Sequence, residues 1–255
     1  MRGFALSTAL AFLAACGGPA KGPDTPKVHD NADATHRVDV LPRGHGSAVV
    51  VDAENGILLT CHHVVGEGRR ELVVNIAVDE EAPVAHPAKV IAWDKKNDLA
   101  LIKVERRFER SVVLAELDEI HMLDDVYNIG FPYDFGELGS KGVIKSIDYD
   151  DPRRGLEDVM LVEIDGVPGT SGSGVFLVRD GKLVGLMSAL IPVGPDDGRR
   201  IVVRVVIRID VIRRFLDGAK VRYRTSPLGQ GEVMNVGSGM SGKGRLTIGI
   251  PPPSR

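Results

Sequence analysis

The chain has 255 residues, 43% of them hydrophobic and 26% charged, enough apolar material for one large or two small globular domains. Its 32 basic and 35 acidic side chains leave a formal net charge of -3, and no basic patch carries interleaved aromatics, which excludes an electrostatic footprint for nucleic acid. Few aromatics beside many valines tilt the composition towards strands, and two cysteines, Cys16 and Cys61, allow at most one disulfide.

The first segment, "MRGFALSTALAFLAAC" (1 to 16), sets Arg2 before an apolar run too short to span a bilayer and ends in small residues. It resembles a bacterial lipoprotein signal, with "LAAC" (13 to 16) in the place of the lipobox. That resemblance implies cleavage after residue 15 and a lipid on Cys16, anchoring the protein to a membrane in the cell envelope with its folded part on the periplasmic or extracellular face. Cys61 then remains a lone thiol, so no disulfide is expected. Residues 16 to 38, rich in Gly, Pro, Asp and Asn without apolar periodicity, predict a disordered tether.

From residue 39 to about 110 the pattern becomes short apolar runs with turn signals between them: "SAVVVD" (47 to 52), "GILLT" (56 to 60), "ELVVNIAV" (71 to 78), "AKVIAWD" (88 to 94) and "LALIKV" (99 to 104). A more polar stretch, 105 to 123, crosses to a second half expected over about 120 to 224. There "DVYNIGFP" (125 to 132), "KGVIKSIDYD" (141 to 150), "VMLVEID" (159 to 165), "GVFLV" (174 to 178), "KLVGLMSAL" (182 to 190) and "RIVVRVV" (200 to 206) read as strands. "RDGK" (179 to 182) supplies an Asp-Gly hairpin turn, and "IDVIRRFLDG" (209 to 218) has helical spacing with a terminal Gly. The alternating arginines of 199 to 214 read as the solvated face of a strand followed by that helix. Residues 225 to 255, dense in Gly, Pro and Ser, predict a poorly ordered tail in which "RLTIGI" could add a stray strand.

One stretch asks for chemistry. "PGTSGSG" (168 to 174) has the composition of a flexible linker but lies between two apolar strands, so it is expected to be a tight, ordered turn presenting Ser171. A serine hydroxyl attacks only if a base takes its proton and donors wait for the oxyanion. The candidate base is His63 in "LLTCHHVV" (58 to 65), and Asp98, at the mouth of a strand in "DKKNDLALIKV" (94 to 104), is placed to hold the imidazole in one tautomer. Cys61, His62 and His63 are zinc ligands by type, yet three consecutive residues cannot all reach one tetrahedral ion from a strand, so no metal and no cofactor is expected.

"TCHHVV", "NDLALIKV" and "GTSGSGVF", in that order and with "GHGSAVVVD" (44 to 52) and "NIGFP" (128 to 132), resemble the trypsin-like serine peptidases, nearest to their HtrA/Deg branch, over about 44 to 217. The order His, Asp, Ser agrees with that clan. The resemblance implies an all-β chymotrypsin fold of two six-stranded antiparallel β-barrels with a short C-terminal helix. It also implies a catalytic triad of His63, Asp98 and Ser171, and an oxyanion hole of the Gly169 and Ser171 N-H groups. His63 is selected over His62 by its place three residues after Thr60, and on an extended strand only one of the pair could face Ser171. Thr170 stands where relatives carry Asn or Asp, and Ser173-Gly174 where Gly-Pro is common, which bears on the rigidity of the turn.

Ser188, Ala189 and Leu190 match the strand that pairs with an extended polypeptide substrate. Asp165 lies six residues before Ser171, where trypsin carries the acid that selects Lys or Arg, so the resemblance implies cleavage after basic residues if it sits at the pocket floor; the other reading makes it a turn or surface residue. HtrA/Deg relatives often carry a PDZ domain, for which the tail after 224 is too short. A homo-oligomer is compatible with the sequence but not indicated by it. The activity expected is a serine endopeptidase of the bacterial cell envelope. The alternative is a catalytically weak or inactive peptide-binding or chaperone-like module on the same fold; an esterase on the same triad is a third.

Overall fold

A computed structural model describes residues 28–42, 44–67, 71–76, 83–193, 201–226 and 249. Twelve strands form two closed barrels. The first holds β1 (Thr35–Val40), β2 (His45–Asp52), β3 (Ile57–Cys61), β4 (Leu72–Ile76), β5 (Val84–Asp94) and β6 (Leu99–Val104), paired in the order β1-β2-β3-β6-β5-β4. The second holds β7 (Asp125–Gly130), β8 (Leu138–Asp151), β9 (Leu156–Ile164), β10 (Gly174–Leu177), β11 (Leu183–Val193) and β12 (Ile201–Arg208), in the order β10-β11-β12-β9-β8-β7. All pairings are antiparallel, and closure leaves neither sheet a full-length open edge. The two-barrel architecture expected from the resemblance is the one observed.

The apolar runs explain the strands. β6 buries Leu99, Ala100, Leu101, Ile102 and Val104 completely or nearly so, and β2 buries Ala48 to Val51, because both faces of these strands are covered. Phe176, fully buried, stacks on Tyr127 with ring centroids 5.3 Å apart. Each such aromatic contributes about 1.5–3 kcal/mol relative to exposure. The helix α3 (Ile209–Gly218) turns Ile209, Ile212, Phe215 and Leu216 onto the second barrel, as its spacing predicts. Between the barrels, Val112 N donates to Val50 O, and Ala115 N to Leu183 O, so the crossing segment is pinned to both and its Val112 to Ala115 stretch is buried.

Three expectations are corrected. The folded part begins before residue 39: Val28–Asp33 is a one-turn-plus helix, α1, and Thr35 to Val38 are the first residues of β1. Tertiary polar contacts hold this polar segment: Asn31 Nδ2 donates to the Tyr127 hydroxyl (2.7 Å) and to Gly181 O (2.8 Å), and Thr35 Oγ1 to Asn31 O. The arginines of β12 do not form a solvated face. Arg208 is 9% exposed and pairs with Asp210, Asp148 and Asp158. The two histidines after Cys61 do not continue β3 but open a single helical turn, α2 (His62–Val65), so about 100° of helix rotation, not strand alternation, separates them. The segment expected to be a signal and most of the 225 to 255 tail lie outside the described residues, although Gly249 is bridged to Trp93 by two backbone hydrogen bonds.

Candidate active site

The sequence-predicted base and acid meet at the junction of the barrels. His63 Nδ1 lies 2.7 Å from Asp98 Oδ2, and the His63 backbone N-H donates to Asp98 Oδ1 at 2.9 Å. His62, by contrast, points its Nε2 into a buried place without a partner, although its N-H also donates to the Asp98 carbonyl. Asp98 sits in the turn between β5 and β6 with φ +55, a left-handed conformation that Asp tolerates better than most residues. That conformation lets both its carboxylate and its carbonyl face α2.

Asp98 takes a further bond that the sequence did not disclose. The Ser188 hydroxyl donates to its Oδ2 at 2.5 Å. Burial raises the Asp98 pKa, but the hydrogen bond and charge of His63, then the Ser188 hydroxyl, prevail and hold it below its ordinary value. Asp98 is thus kept as an anion, the form that orients an imidazole and stabilises an imidazolium. Ser188 escapes strand pairing because β11 bulges between Met187 and Ala189, which frees it to turn towards Asp98.

Ser171 is the third predicted member. Its Oγ donates to Ser188 O at 3.3 Å. The hydroxyl therefore stands next to the residue that holds Asp98, and its hydrogen bond goes to that carbonyl rather than to His63. Catalytic hydrogen bonds in unliganded sites are commonly long and tighten with substrate.

The turn that carries Ser171 is ordered, and its sequence says why. Val167 to Thr170 is a tight turn closed by Thr170 N to Val167 O (3.1 Å), with Pro168 second and Gly169 third at φ +104. Thr170 tightens it further, its Oγ1 donating to the same carbonyl at 2.9 Å. Ser173 Oγ donates to Thr170 O (2.5 Å) and accepts from Asn128 Nδ2 (2.6 Å). The two departures from the family pattern thus add hydrogen bonds to the turn.

Ser47 of β2, in the other barrel, completes the clamp. Its N-H donates to Ser171 O (2.8 Å), and its Oγ donates to Gly169 O (2.9 Å) and accepts from Phe131 N (3.0 Å). The N-H groups of Gly169 and Ser171 have no acceptor among the described residues. Gly172, at φ +84, brings the backbone so close that a Cβ there would lie 2.2 Å from Ser47 O. Ser47 falls inside a quoted motif, but only the fold shows what its hydroxyl touches.

The remaining predicted residues line the cleft. Beyond Leu186, β11 pairs only with β12, so Ser188, Ala189 and Leu190 present an edge with no strand partner among the described residues, Ala189 and Leu190 being exposed. Asp165 is an exposed residue at the end of β9, its carbonyl accepting from Ser140 Oγ. Among the described residues, Cys61, His63 and Asp98 bring one donor atom each within 4.8 Å of one another, the spacing a metal would need. The chemistry is unfavourable to it: burial and then the Asp98 charge push the Cys61 thiol well up, and its Sγ donates to Met187 O. The predicted lipid site Cys16 lies outside the described residues.

The chain is similar to the periplasmic pH-dependent serine endoprotease DegQ of Escherichia coli (strain K12), 24% identical over 189 residues covering 69% of this chain and 40% of that one. It is also similar to the serine protease HTRA1 of Xenopus laevis, 27% identical over 195 residues covering 75% and 39%. The alignments span about two fifths of the length of these relatives. The fold matches the crystal structure of Deg5 with a TM-score of 0.61 at 21% identity, covering 73% of this chain and 88% of that one. The serine endoprotease from Yersinia pestis matches with a TM-score of 0.59, also at 21% identity, covering 75% and 64%. Residues 46–186 match the trypsin-like peptidase domain, and they contain His63, Asp98, Ser171 and the clamped turn described above: the chain belongs to the trypsin-like peptidase family.

Proposed function

We propose that the protein is an HtrA-like serine endopeptidase that cleaves extended or unfolded polypeptides in the bacterial cell envelope. His63 is general base and then general acid, Asp98 orients it, and Ser171 is the nucleophile. The observation that carries this reading is the continuous run from His63 through Asp98 and Ser188 to Ser171, with two unclaimed N-H groups beside it.

The substrate lies antiparallel to the open edge at Ser188 to Leu190, its backbone engaging the Ser188 carbonyl that Ser171 Oγ occupies when the site is empty. The hydroxyl, displaced, turns to His63 Nε2 and gives up its proton as Oγ bonds the scissile carbonyl carbon. The carbonyl oxygen becomes an oxyanion and takes the N-H groups of Gly169 and Ser171, worth about 3 kcal/mol per donor. The imidazolium, held through Nδ1-H by Asp98, returns the proton to the leaving amine, and water repeats the sequence to release the acyl group. The amino-terminal segment is read as a lipid anchor on Cys16.

The Ser171 to Ser188 hydrogen bond also suits the rival reading, a peptide-binding module in which the hydroxyl stays parked. A fluorophosphonate probe separates them. Labelling at Ser171, together with casein cleavage that vanishes in Ser171→Ala, supports the peptidase; equal cleavage by the variant removes it.

A further inference from the structure

β12 carries two arginines with opposite fates. Arg208 is saturated by Asp210, Asp148 and Asp158. Arg204 is half-buried, yet among the described residues it makes no hydrogen bond and no ion pair. Its position is defined by Gly166: a Cβ on that glycine would lie 3.1 Å from Arg204 Nε, 3.2 Å from its Cζ and 3.1 Å from Met187 Sδ. The guanidinium therefore lies against the backbone just after Asp165, where the Met187 side chain also reaches. Its register partner on β11 is Leu190, two residues beyond the carbonyl that receives the Ser171 hydroxyl.

The proposed mechanism fixes what enters that place. A residue whose carbonyl carbon meets Ser171 Oγ, whose oxygen sits at Gly169 N-H and whose backbone lies along Ser188 has one direction left for its side chain. It must point between the 165 to 169 segment and β11, where Arg204 is. We infer that Arg204 makes this protein select an acidic side chain, Asp or Glu, for the residue on the acyl side of the cleaved bond.

The physical argument is one of compensation. A guanidinium stays charged under all accessible conditions, and withdrawing it from water without a partner is unfavourable. Burial lowers its pKa, countered only by the charge of Asp165, which is exposed and outside ion-pair distance. A substrate carboxylate supplies the missing acceptor in the bidentate geometry guanidinium favours. A lysine or arginine side chain meets like charge, and an apolar one buries the guanidinium further while still unpaired. Asp165, which the sequence offered as a selector for basic side chains, here becomes the competitor that a substrate carboxylate replaces.

The inference rests on the peptidase reading, and the test separates the two. An internally quenched peptide library varied at one position is cleaved by the full chain and by Arg204→Lys, Arg204→Gln and Arg204→Glu, with fluorophosphonate labelling of the unsubstituted protein run beside it. The expected result is a preference for Asp and Glu over Leu and Lys of at least about tenfold. Arg204→Lys retains it in part, Arg204→Gln loses it, Arg204→Glu turns it towards Lys, and Asp165→Asn increases it. Labelling at Ser171 with cleavage after apolar or basic residues, unchanged across the Arg204 series, overturns the inference and leaves the peptidase standing. If the probe does not label, the peptidase falls and Ser171→Ala decides: binding a Glu peptide at least about tenfold tighter than its Gln analogue by fluorescence anisotropy supports the Arg204 site, and equal binding overturns it.

Discussion

Replacing Gly169 by Ala tests the proposed oxyanion hole with a single methyl group. At φ +104 an alanine is strained by about 1–2 kcal/mol before any contact is considered. The added carbon would also lie 2.5 Å from both Phe131 O and His45 Nε2, about 1 Å inside ordinary van der Waals contact. Phe131 is tied down by its N-H bond to Ser47, and His45 lies on β2, so the turn itself must give way. The Gly169 N-H then leaves its place, and loss of one oxyanion donor removes about 3 kcal/mol of transition-state stabilisation, a fall of about 10²–10³ in kcat. KM should change less than about threefold, because the lost interaction is made only in the transition state. Strain of the order of 2 kcal/mol lowers Tm by roughly 4–8 °C for a protein of this size. Steady-state kinetics on a chromogenic peptide and a thermal melt measure both. A folded Gly169→Ala protein whose kcat stays within about threefold of the parent would refute the assignment of this N-H.

Removing the Ser188 hydroxyl with Ser188→Ala takes a donor from the Asp98 carboxylate, an interaction worth about 1.5–3 kcal/mol, and should cut kcat/KM about tenfold or more. The Asp98 pKa is depressed below its ordinary 3.8, so the stability its anion contributes is fully present above that pH and lost as pH falls through the folded value; in Ser188→Ala the loss should set in at a higher pH, read from urea unfolding. His36 is 6% exposed with its ring tilted against Phe108, centroids 5.0 Å apart, and burial, then the Arg106 charge, lowers its pKa from 6.5 to about 4. Its contribution is present above pH 6.5 and disappears as pH falls towards 4, roughly 3 kcal/mol at about 1.36 kcal/mol per pH unit, so urea unfolding should show this acid sensitivity in the parent and not in His36→Phe. A chain begun at residue 39 lacks Ala34, Val38 and the Asn31 bonds to Tyr127 and Gly181; compared with one begun at 28 it should lose roughly 3–5 kcal/mol, and equal urea midpoints would contradict the role given to β1.

Most strands were legible because their apolar runs are continuous and sharply bounded, as in "LALIKV" and "SAVVVD". β1 was not, because "THRVDV" carries four charged or polar side chains and its inward residues His36, Val38 and Val40 make too short an alternation to stand out beside the Pro-rich stretch before it. Asn31 gave no signal at all, since its partners lie 96 and 150 residues away. At the site, His63, Asp98 and Ser171 were legible from motif order, and the structure brings His63 to Asp98 directly and Ser171 to their neighbour Ser188. The hydroxyls of Ser47 and Ser188 were not, because serine is common on strands and only a bulge in one strand and the meeting of two barrels give these two their work. Arg204 and Arg208 share a repeat of four in sequence, but the aspartates that neutralise Arg208 come from three separate segments, so the difference between the two emerges only on folding.

Ser47 has a consequence for how the proposed peptidase fails. The turn of Ser171 belongs to one barrel while its clamp and the His63 imidazole belong to the other, so neither barrel alone holds the whole proposed centre. A slight parting of the two halves, well short of unfolding, would release the turn and separate base from hydroxyl in the same motion. Turnover is then a sensitive gauge of how well the halves are seated, and heat or mild denaturant should silence the protein before either barrel melts.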